Sequence, residues 1–128
     1  MEANSFESKT ICICDDDQAV LDATSALLEQ AGYRVLVAHE HRELESAMRD
    51  TKPDLLILDV RMPERDGFWV AEGLHALGNT IPIIFMTGYD RWIYRLYAPF
   101  VGSVQYLTKP VPPNVLLQKI EKALAAVL

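Results

Sequence analysis

The sequence predicts an α/β fold, a doubly wound sandwich built around a parallel five-stranded sheet. Five short runs rich in Ile, Val and Leu alternate along the chain with longer segments whose apolar residues recur at helical spacing. The short runs lack a regular alternation of apolar and polar residues. Continuous apolar strands are typical of a parallel sheet that helices cover on both faces. Half of the 128 residues are hydrophobic and 23% are charged, which indicates a globular domain and excludes a disordered or fibrous chain.

Each element has its own signal in the sequence. The predicted strands are Thr10–Cys14, Arg34–Ala38, Leu55–Leu58, Pro82–Met86 and Val104–Thr108. Helical periodicity marks four of the connecting or closing segments, on Val20, Thr24, Leu27, Leu28 and Ala31, on Leu44, Ala47 and Met48, on Phe68, Ala71, Leu74 and Leu77, and on Leu116, Leu117, Ile120, Ala123, Leu124 and Val127. The fourth helical segment, residues 90–101, is aromatic and contains Pro99, so we expect a short or distorted helix there. Right-handed crossovers then predict a flavodoxin-like (βα)5 arrangement with strand order 2-1-3-4-5.

Charge and composition exclude several classes of protein. The net charge of −6 opposes direct binding to nucleic acid, and no apolar run reaches the ~18 residues that a membrane span needs. The first nine residues are polar and include two acids, which is unlike a secretory signal. Cys12 and Cys14 lie in an apolar strand, as expected of reduced core residues in a cytoplasmic protein. We therefore expect a single domain over residues 1–128, with residues 1–8 as a polar extension.

Polar residues gather where the predicted strands end, the edge at which open α/β sheets bind ligands. They are Asp15, Asp16 and Asp17 after the first strand, Asp59 after the third, Thr87 after the fourth, and Lys109 after the fifth. Two like charges 4 Å apart repel by about 4 kcal/mol at an effective dielectric of 20, so clustered carboxylates need compensation. A divalent cation such as Mg²⁺ and the Lys109 ammonium would supply it. The same groups can stabilise a transferring phosphoryl group, with a carboxylate as the nucleophile.

Four motifs occur in order along the chain. They are Ile11–Asp17, Pro53–Pro63 with Asp66-Gly67, Pro82–Gly88, and Tyr106–Pro110. Together they resemble the receiver (CheY-like) domains of two-component response regulators, over about Lys9 to Leu128. The segment from Tyr89 to Phe100 departs from the family, because it is unusually aromatic.

The resemblance implies a phosphoryl acceptor and a metal site. It makes Asp59 the phospho-accepting nucleophile. Asp16, Asp59 and the backbone carbonyl of Arg61 would bind Mg²⁺ or Mn²⁺ directly, and Asp15 would act on the metal through water. The family is a signalling family, so the resemblance implies no enzymatic activity beyond self-phosphorylation from small donors and autodephosphorylation.

The resemblance also implies a switch and its partners. Thr87 and Lys109 would bind the phosphoryl group, Tyr106 would turn inward, and the bond between Lys109 and Pro110 would be cis. The phosphoryl donor would be a sensor histidine kinase or a histidine phosphotransfer protein. A downstream effector or a second copy would bind the surface made by the fourth helical segment, the fifth strand and the last helix.

Other interpretations of the same residues stay open at this point. A receiver-like interaction module that takes no phosphate is one alternative. An Asp-nucleophile phosphohydrolase is another, because Asp15 and Asp17 fit an Asp-x-Asp signature, although its substrate-binding cap needs a longer chain. Asp17 also suits the N-cap of the first helix, and His39 and His41 suit a solvated turn.

Overall fold

A parallel sheet with strand order β2-β1-β3-β4-β5 forms the centre of the fold, as predicted. The computed structural model describes residues 8–60, 67–88 and 103–125. Its strands are β1 (Thr10–Cys14), β2 (Arg34–Ala38), β3 (Leu55–Leu58), β4 (Ile83–Thr87) and β5 (Ser103–Thr108). Its helices are α1 (Gln18–Gln30), α2 (His41–Asp50), α3 (Gly67–Ala76) and α4 (Pro113–Ala125). The segment 90–101, for which a distorted helix is predicted, lies outside the described residues.

Two apolar cores lie on opposite faces of the sheet. Along β1, Ile11 and Ile13 belong to the core that α1 and α4 cover, whereas Cys12 and Cys14 belong to the core that α2 and α3 cover. The same division holds in β3 and β4, because successive side chains of a strand point to opposite faces. Burial on both faces explains why these strands are continuously apolar in sequence.

Local sequence sets both ends of α1. The side chain of Asp17 accepts hydrogen bonds from the backbone N–H groups of Ala19 and Val20, so Asp17 is the N-cap of the helix, as predicted. After the helix, Gly32 has a φ of +100°, a left-handed conformation that glycine adopts at little cost. The capped end of α1 lies directly after Asp15 and Asp16, so the cap also shapes the loop that carries the predicted metal ligands.

The structure corrects three details of the sequence interpretation. Strand β4 starts at Ile83 rather than Pro82, because proline has no N–H to donate to the ladder, although its carbonyl accepts from Leu56. Leu77, predicted on the buried face of the third helix, is 85% exposed, since α3 ends at Ala76 and the chain turns at Gly78. His41 is half-buried rather than solvated, and its ring lies 5.4 Å from the ring of Trp69.

Both cysteines are inaccessible to solvent, and this makes their chemistry predictable. Cys12 and Cys14 are fully buried, reduced thiols, and burial raises the pKa of Cys12 to about 12 and that of Cys14 further still. Because the thiolate is the reactive form, we expect neither to react with a thiol reagent such as Ellman's reagent in the native protein at neutral pH. Both should react at once in denaturant. Fast labelling of the folded chain would contradict this prediction.

Candidate functional site

Three of the five parallel strands deliver charged residues to one edge of the sheet. Asp15 follows β1, Asp59 follows β3, and Lys109 follows β5. Backbone hydrogen bonds extend past the strand ends, with the N–H of Asp59 donating to the carbonyl of Cys14 and that of Asp15 donating to the carbonyl of Ala38, both at 3.0 Å. These bonds hold the two acids side by side, so residues 44 positions apart in sequence share one site.

The ammonium of Lys109 lies between two buried carboxylates. Its Nζ is 2.6 Å from Oδ2 of Asp15 and 3.4 Å from Oδ2 of Asp59, so the shorter contact is to Asp15. Asp15 is 1% exposed and Asp59 is 7% exposed. The backbone N–H of Asp17 donates to the other oxygen of Asp15 at 2.9 Å. Asp15 is therefore held by Lys109 and by the loop, and its orientation is well defined.

Burial and charge shift the titration of this site in opposite directions. Burial raises the pKa of Asp15, and the charge of Asp59 adds to that effect, although the hydrogen bonds from Lys109 and from the backbone of Asp17 oppose it. Burial alone would lower the pKa of Lys109, but its hydrogen bond to Asp15 and the charges of both acids outweigh burial and raise it. The site therefore stabilises the protonated form of Lys109 and disfavours the ionised form of Asp15.

The donor set fits a hard divalent cation. Carboxylate oxygens of Asp15, Asp16 and Asp59 all lie within 4.8 Å of one another, and Asp16 is exposed at the mouth of the site. Among the described side chains, the cation in contact with this cluster is Lys109, so three carboxylates face one positive charge there. Mg²⁺ prefers oxygen ligands and uses one or two carboxylates together with water, so these residues suit it.

Of the other residues singled out in the sequence, Thr87 and Tyr106 lie on the strands β4 and β5 that lead to this edge. Thr87 is the last residue of β4 and pairs in register with Thr108 of β5, and its side chain lies outside the described part. Tyr106 is half-buried on β5, opposite Phe85 in the sheet. The Lys109–Pro110 peptide bond is cis. Arg61, whose carbonyl is an expected metal ligand, lies outside the described residues.

A polar network that was not predicted from the sequence lies next to the site. The ring of His39, which follows β2, contacts Glu43 of α2 on one side and Gln18 of α1 on the other. Glu43 is 4 positions and Gln18 is 21 positions away from His39 in the sequence. Gln18 reaches His39 because α1 packs against β2. The i, i+4 spacing of His39 and Glu43 could have indicated the first contact.

Comparison with known proteins agrees with this geometry. The sequence profile of the response regulator receiver domain matches residues 11–121. The chain is 34% identical over 117 residues to response regulator MprA of Mycobacterium bovis, covering 91% of this chain and 51% of MprA. It is 36% identical over 115 residues to transcriptional regulatory protein ZraR of Escherichia coli, covering 90% of this chain and 26% of ZraR. The chain thus spans about half, or less, of the length of these relatives.

Solved structures of similar proteins share the whole fold. A CheY-like receiver domain protein from Methanospirillum hungatei superposes with a TM-score of 0.88 at 33% identity, covering 93% of this chain and 95% of that one. Chemotaxis protein CheY4 of Vibrio cholerae superposes with a TM-score of 0.85 at 25% identity, covering 91% and 98% of the two chains. Helices α1 to α4, the ones that the structure describes, are all too short or too polar to span a bilayer. Profile, relatives and fold agree, and the chain belongs to the family of response regulator receiver domains of two-component signalling.

Proposed function

We propose that Asp59 accepts a phosphoryl group from a phosphohistidine on a sensor histidine kinase or a histidine phosphotransfer protein. The observation that carries the proposal is the placement of the Asp59 carboxylate among Asp15, Asp16 and Lys109, with its Oδ2 3.4 Å from Nζ of Lys109. A carboxylate held beside a cation in this way can be presented as a nucleophile to an electrophilic phosphorus. Membership of the receiver family supports this assignment.

Asp15, Asp16, Asp59 and the backbone carbonyl of Arg61 are the residues that would hold Mg²⁺ or Mn²⁺. When bound, the ion supplies positive charge to the phosphoryl oxygens. In the transfer, an oxygen of Asp59 forms a bond to phosphorus while the bond from phosphorus to the histidine nitrogen of the donor breaks. The electron pair of that bond stays on the nitrogen. Lys109 offsets the charge of the transferred group, and the hydroxyl of Thr87 donates a hydrogen bond to it.

Phosphorylation would act on this domain as an electrostatic switch. It replaces the single charge of the Asp59 carboxylate with roughly −1.5 to −2 charges beside the buried Asp15 and the exposed Asp16, which favours a state in which Lys109 and Thr87 contact the phosphoryl group. Tyr106, half-buried on β5 beside β4, then turns inward. The surface made by residues 90–101, β5 and α4 changes with it and binds an effector or a second copy differently in the two states. The partner is a protein and not nucleic acid, since the sequence is acidic overall.

The domain catalyses no reaction beyond its own phosphorylation and dephosphorylation. It works in a reducing compartment. Its own chemistry is limited to phosphorylation from small donors and to loss of the phosphoryl group. The buried, reduced thiols of Cys12 and Cys14 suit the cytoplasm, where thiols stay reduced.

Incubation with acetyl phosphate tests the proposal directly. With Mg²⁺, intact mass spectrometry should detect the addition of one phosphoryl group, because a small acyl phosphate can replace the phosphohistidine donor. EDTA should prevent the addition, and hydroxylamine should remove it, since an aspartyl phosphate is an acyl phosphate. An adduct that forms equally in EDTA or resists hydroxylamine overturns the proposal. Release of phosphate from small phosphate esters without any adduct would favour the phosphohydrolase instead.

A further inference from the structure

The ring of His39 connects helix α2 with the start of helix α1. These helices flank residues 15–17, the loop after β1 that carries two of the proposed metal ligands and is called the metal-binding loop below. Its Nδ1 lies 3.0 Å from Oε1 of Glu43, and its Nε2 lies 2.5 Å from Oε1 of Gln18. The backbone N–H of His39 also donates to Glu43, and the side-chain amide of Gln18 donates to Oδ1 of Asp22 at 2.7 Å. A chain of four side chains therefore runs from α2, across the end of β2, to the first turn of α1.

The partners determine the roles of the two ring nitrogens. Glu43 is an acceptor, so Nδ1 donates to it. The amide nitrogen of Gln18 faces the Asp22 carboxylate, so its oxygen faces Nε2 of His39. The pKa of Glu43 lies below its ordinary value, chiefly because the backbone and then the ring of His39 donate to it.

This network holds the metal-binding loop from a second side. The backbone N–H of Asp15 donates to the carbonyl of Ala38, and Gln18 contacts the ring of His39, the next residue along. Ala38 and His39, consecutive residues at the end of β2, thus contact Asp15 and Gln18 respectively. Asp16 lies between Asp15 and Gln18 in the sequence. Asp15 and Asp59 are fixed by burial and by Lys109, whereas Asp16 is exposed and depends on the backbone of the loop for its position.

We propose that Glu43, His39 and Gln18 form a latch that positions Asp16, so that His39 is a positioning residue for metal binding. The inference rests on the proposed function of the site. A loop held in place before the ion arrives loses less freedom on binding, which raises affinity without any new contact to the metal.

The expected effect is modest because the contacts are exposed. The side chains of His39 and Glu43 are 44% and 51% exposed, and water screens such pairs. We therefore expect His39→Ala to raise the dissociation constant for Mg²⁺ about threefold. His75→Ala, a change of an exposed histidine on α3, is the matched control and should leave it unchanged.

Two further measurements separate the latch from a general loosening of the fold. If His39 acts through Gln18, Gln18→Ala should weaken Mg²⁺ binding to a similar degree, and the double variant should be no weaker than either single one. Hydrogen exchange of the metal-free protein should be about threefold faster at the amides of residues 16–19 in His39→Ala and unchanged in β1.

The outcomes of these measurements distinguish failure of the latch from failure of the proposed function. Wild-type Mg²⁺ affinity in His39→Ala, or additive effects in the double variant, overturns the latch while leaving the proposed function intact. If the wild-type chain binds no Mg²⁺ at millimolar concentrations, the proposed function of the site fails and the latch, as a device for metal binding, fails with it.

Discussion

Asp59→Asn is expected to abolish uptake of the phosphoryl group from acetyl phosphate and, without Mg²⁺, to stabilise the fold by about 1–2 kcal/mol. The loss follows because an amide oxygen is a poor nucleophile and cannot form the acyl phosphate. Intact mass spectrometry measures the first effect, and urea unfolding in EDTA measures the second.

The gain in stability follows from a count of charges. Among the described side chains, Asp59 is attracted to Lys109 and repelled by Asp15 and Asp16, whose oxygens lie within 4.8 Å. At such distances each term is about 3–5 kcal/mol at an effective dielectric of 20, so the repulsions outweigh the attraction. The amide also avoids the cost of burying a charge at a position that is 7% exposed. Mg²⁺ should stabilise the wild type more than Asp59→Asn, so the difference in their free energies of unfolding should become smaller.

Two variants serve as controls for Asp59→Asn. Asp50→Asn removes an exposed carboxylate at the end of α2 and should change neither phosphorylation nor stability by more than about 0.5 kcal/mol. Asp15→Asn should weaken Mg²⁺ binding but leave the acceptor Asp59 in place. At high Mg²⁺ this variant should therefore still be phosphorylated, more slowly than the wild type. Phosphorylation that persists in Asp59→Asn and vanishes only in Asp15→Asn would move the nucleophile to Asp15.

Lys109→Met is expected to destabilise the metal-free fold by about 2–3 kcal/mol, the opposite sign from Asp59→Asn. The lysine is the cation that contacts Asp15 at 2.6 Å and Asp59 at 3.4 Å, and its side chain is 21% exposed. Its removal leaves two buried carboxylates facing each other. Urea unfolding in EDTA should detect the loss, and added Mg²⁺ should narrow it because the ion compensates the same carboxylates.

The pH dependence of this interaction has a definite sign. The pKa of Lys109 in the folded chain lies above its ordinary value of 10.5, so its ion pairs contribute fully below that pH. The contribution is lost as the pH rises through the higher folded value. The difference in stability between wild type and Lys109→Met should therefore be constant from about pH 7 to 10 and shrink above that range.

Lys122→Met is the matched control for this variant, because Lys122 is exposed on α4. It should change stability by less than about 0.5 kcal/mol. Equal effects of the two substitutions, or a loss in Lys109→Met that Mg²⁺ does not reduce, would show that the lysine does not compensate the carboxylates.

Most of the fold could be predicted because the central strands β1, β3 and β4 are buried on both faces. The bounds of β1, β2 and β3 match the predicted ones, since a continuous apolar run between polar residues leaves little choice. The errors occur where the apolar pattern is a poor guide. Pro82 is apolar and buried yet cannot donate to the ladder, and Leu77 continues the period of α3 beyond its last turn.

The chemistry of the site could be predicted in part. The strand-end rule brings Asp15, Asp59 and Lys109 to one edge because parallel strands end on the same side. The rule does not give distances, and the closer contact of Lys109 with Asp15 than with Asp59 depends on how deeply each carboxylate lies. The contact of His39 with Gln18 depends on how α1 rests against β2, which no local pattern encodes.

The order of the elements, the parallel sheet and the edge at which the acids meet could be predicted from the amino-acid sequence, because they follow from hydrophobic period and chain connectivity. The packing of the folded chain sets which carboxylate Lys109 contacts more closely, which histidine adjoins the loop that carries Asp15 and Asp16, and the exposure of Leu77 to water. Those outcomes depend on the packing of side chains that are distant in sequence, where differences of an ångström determine which charges compensate one another.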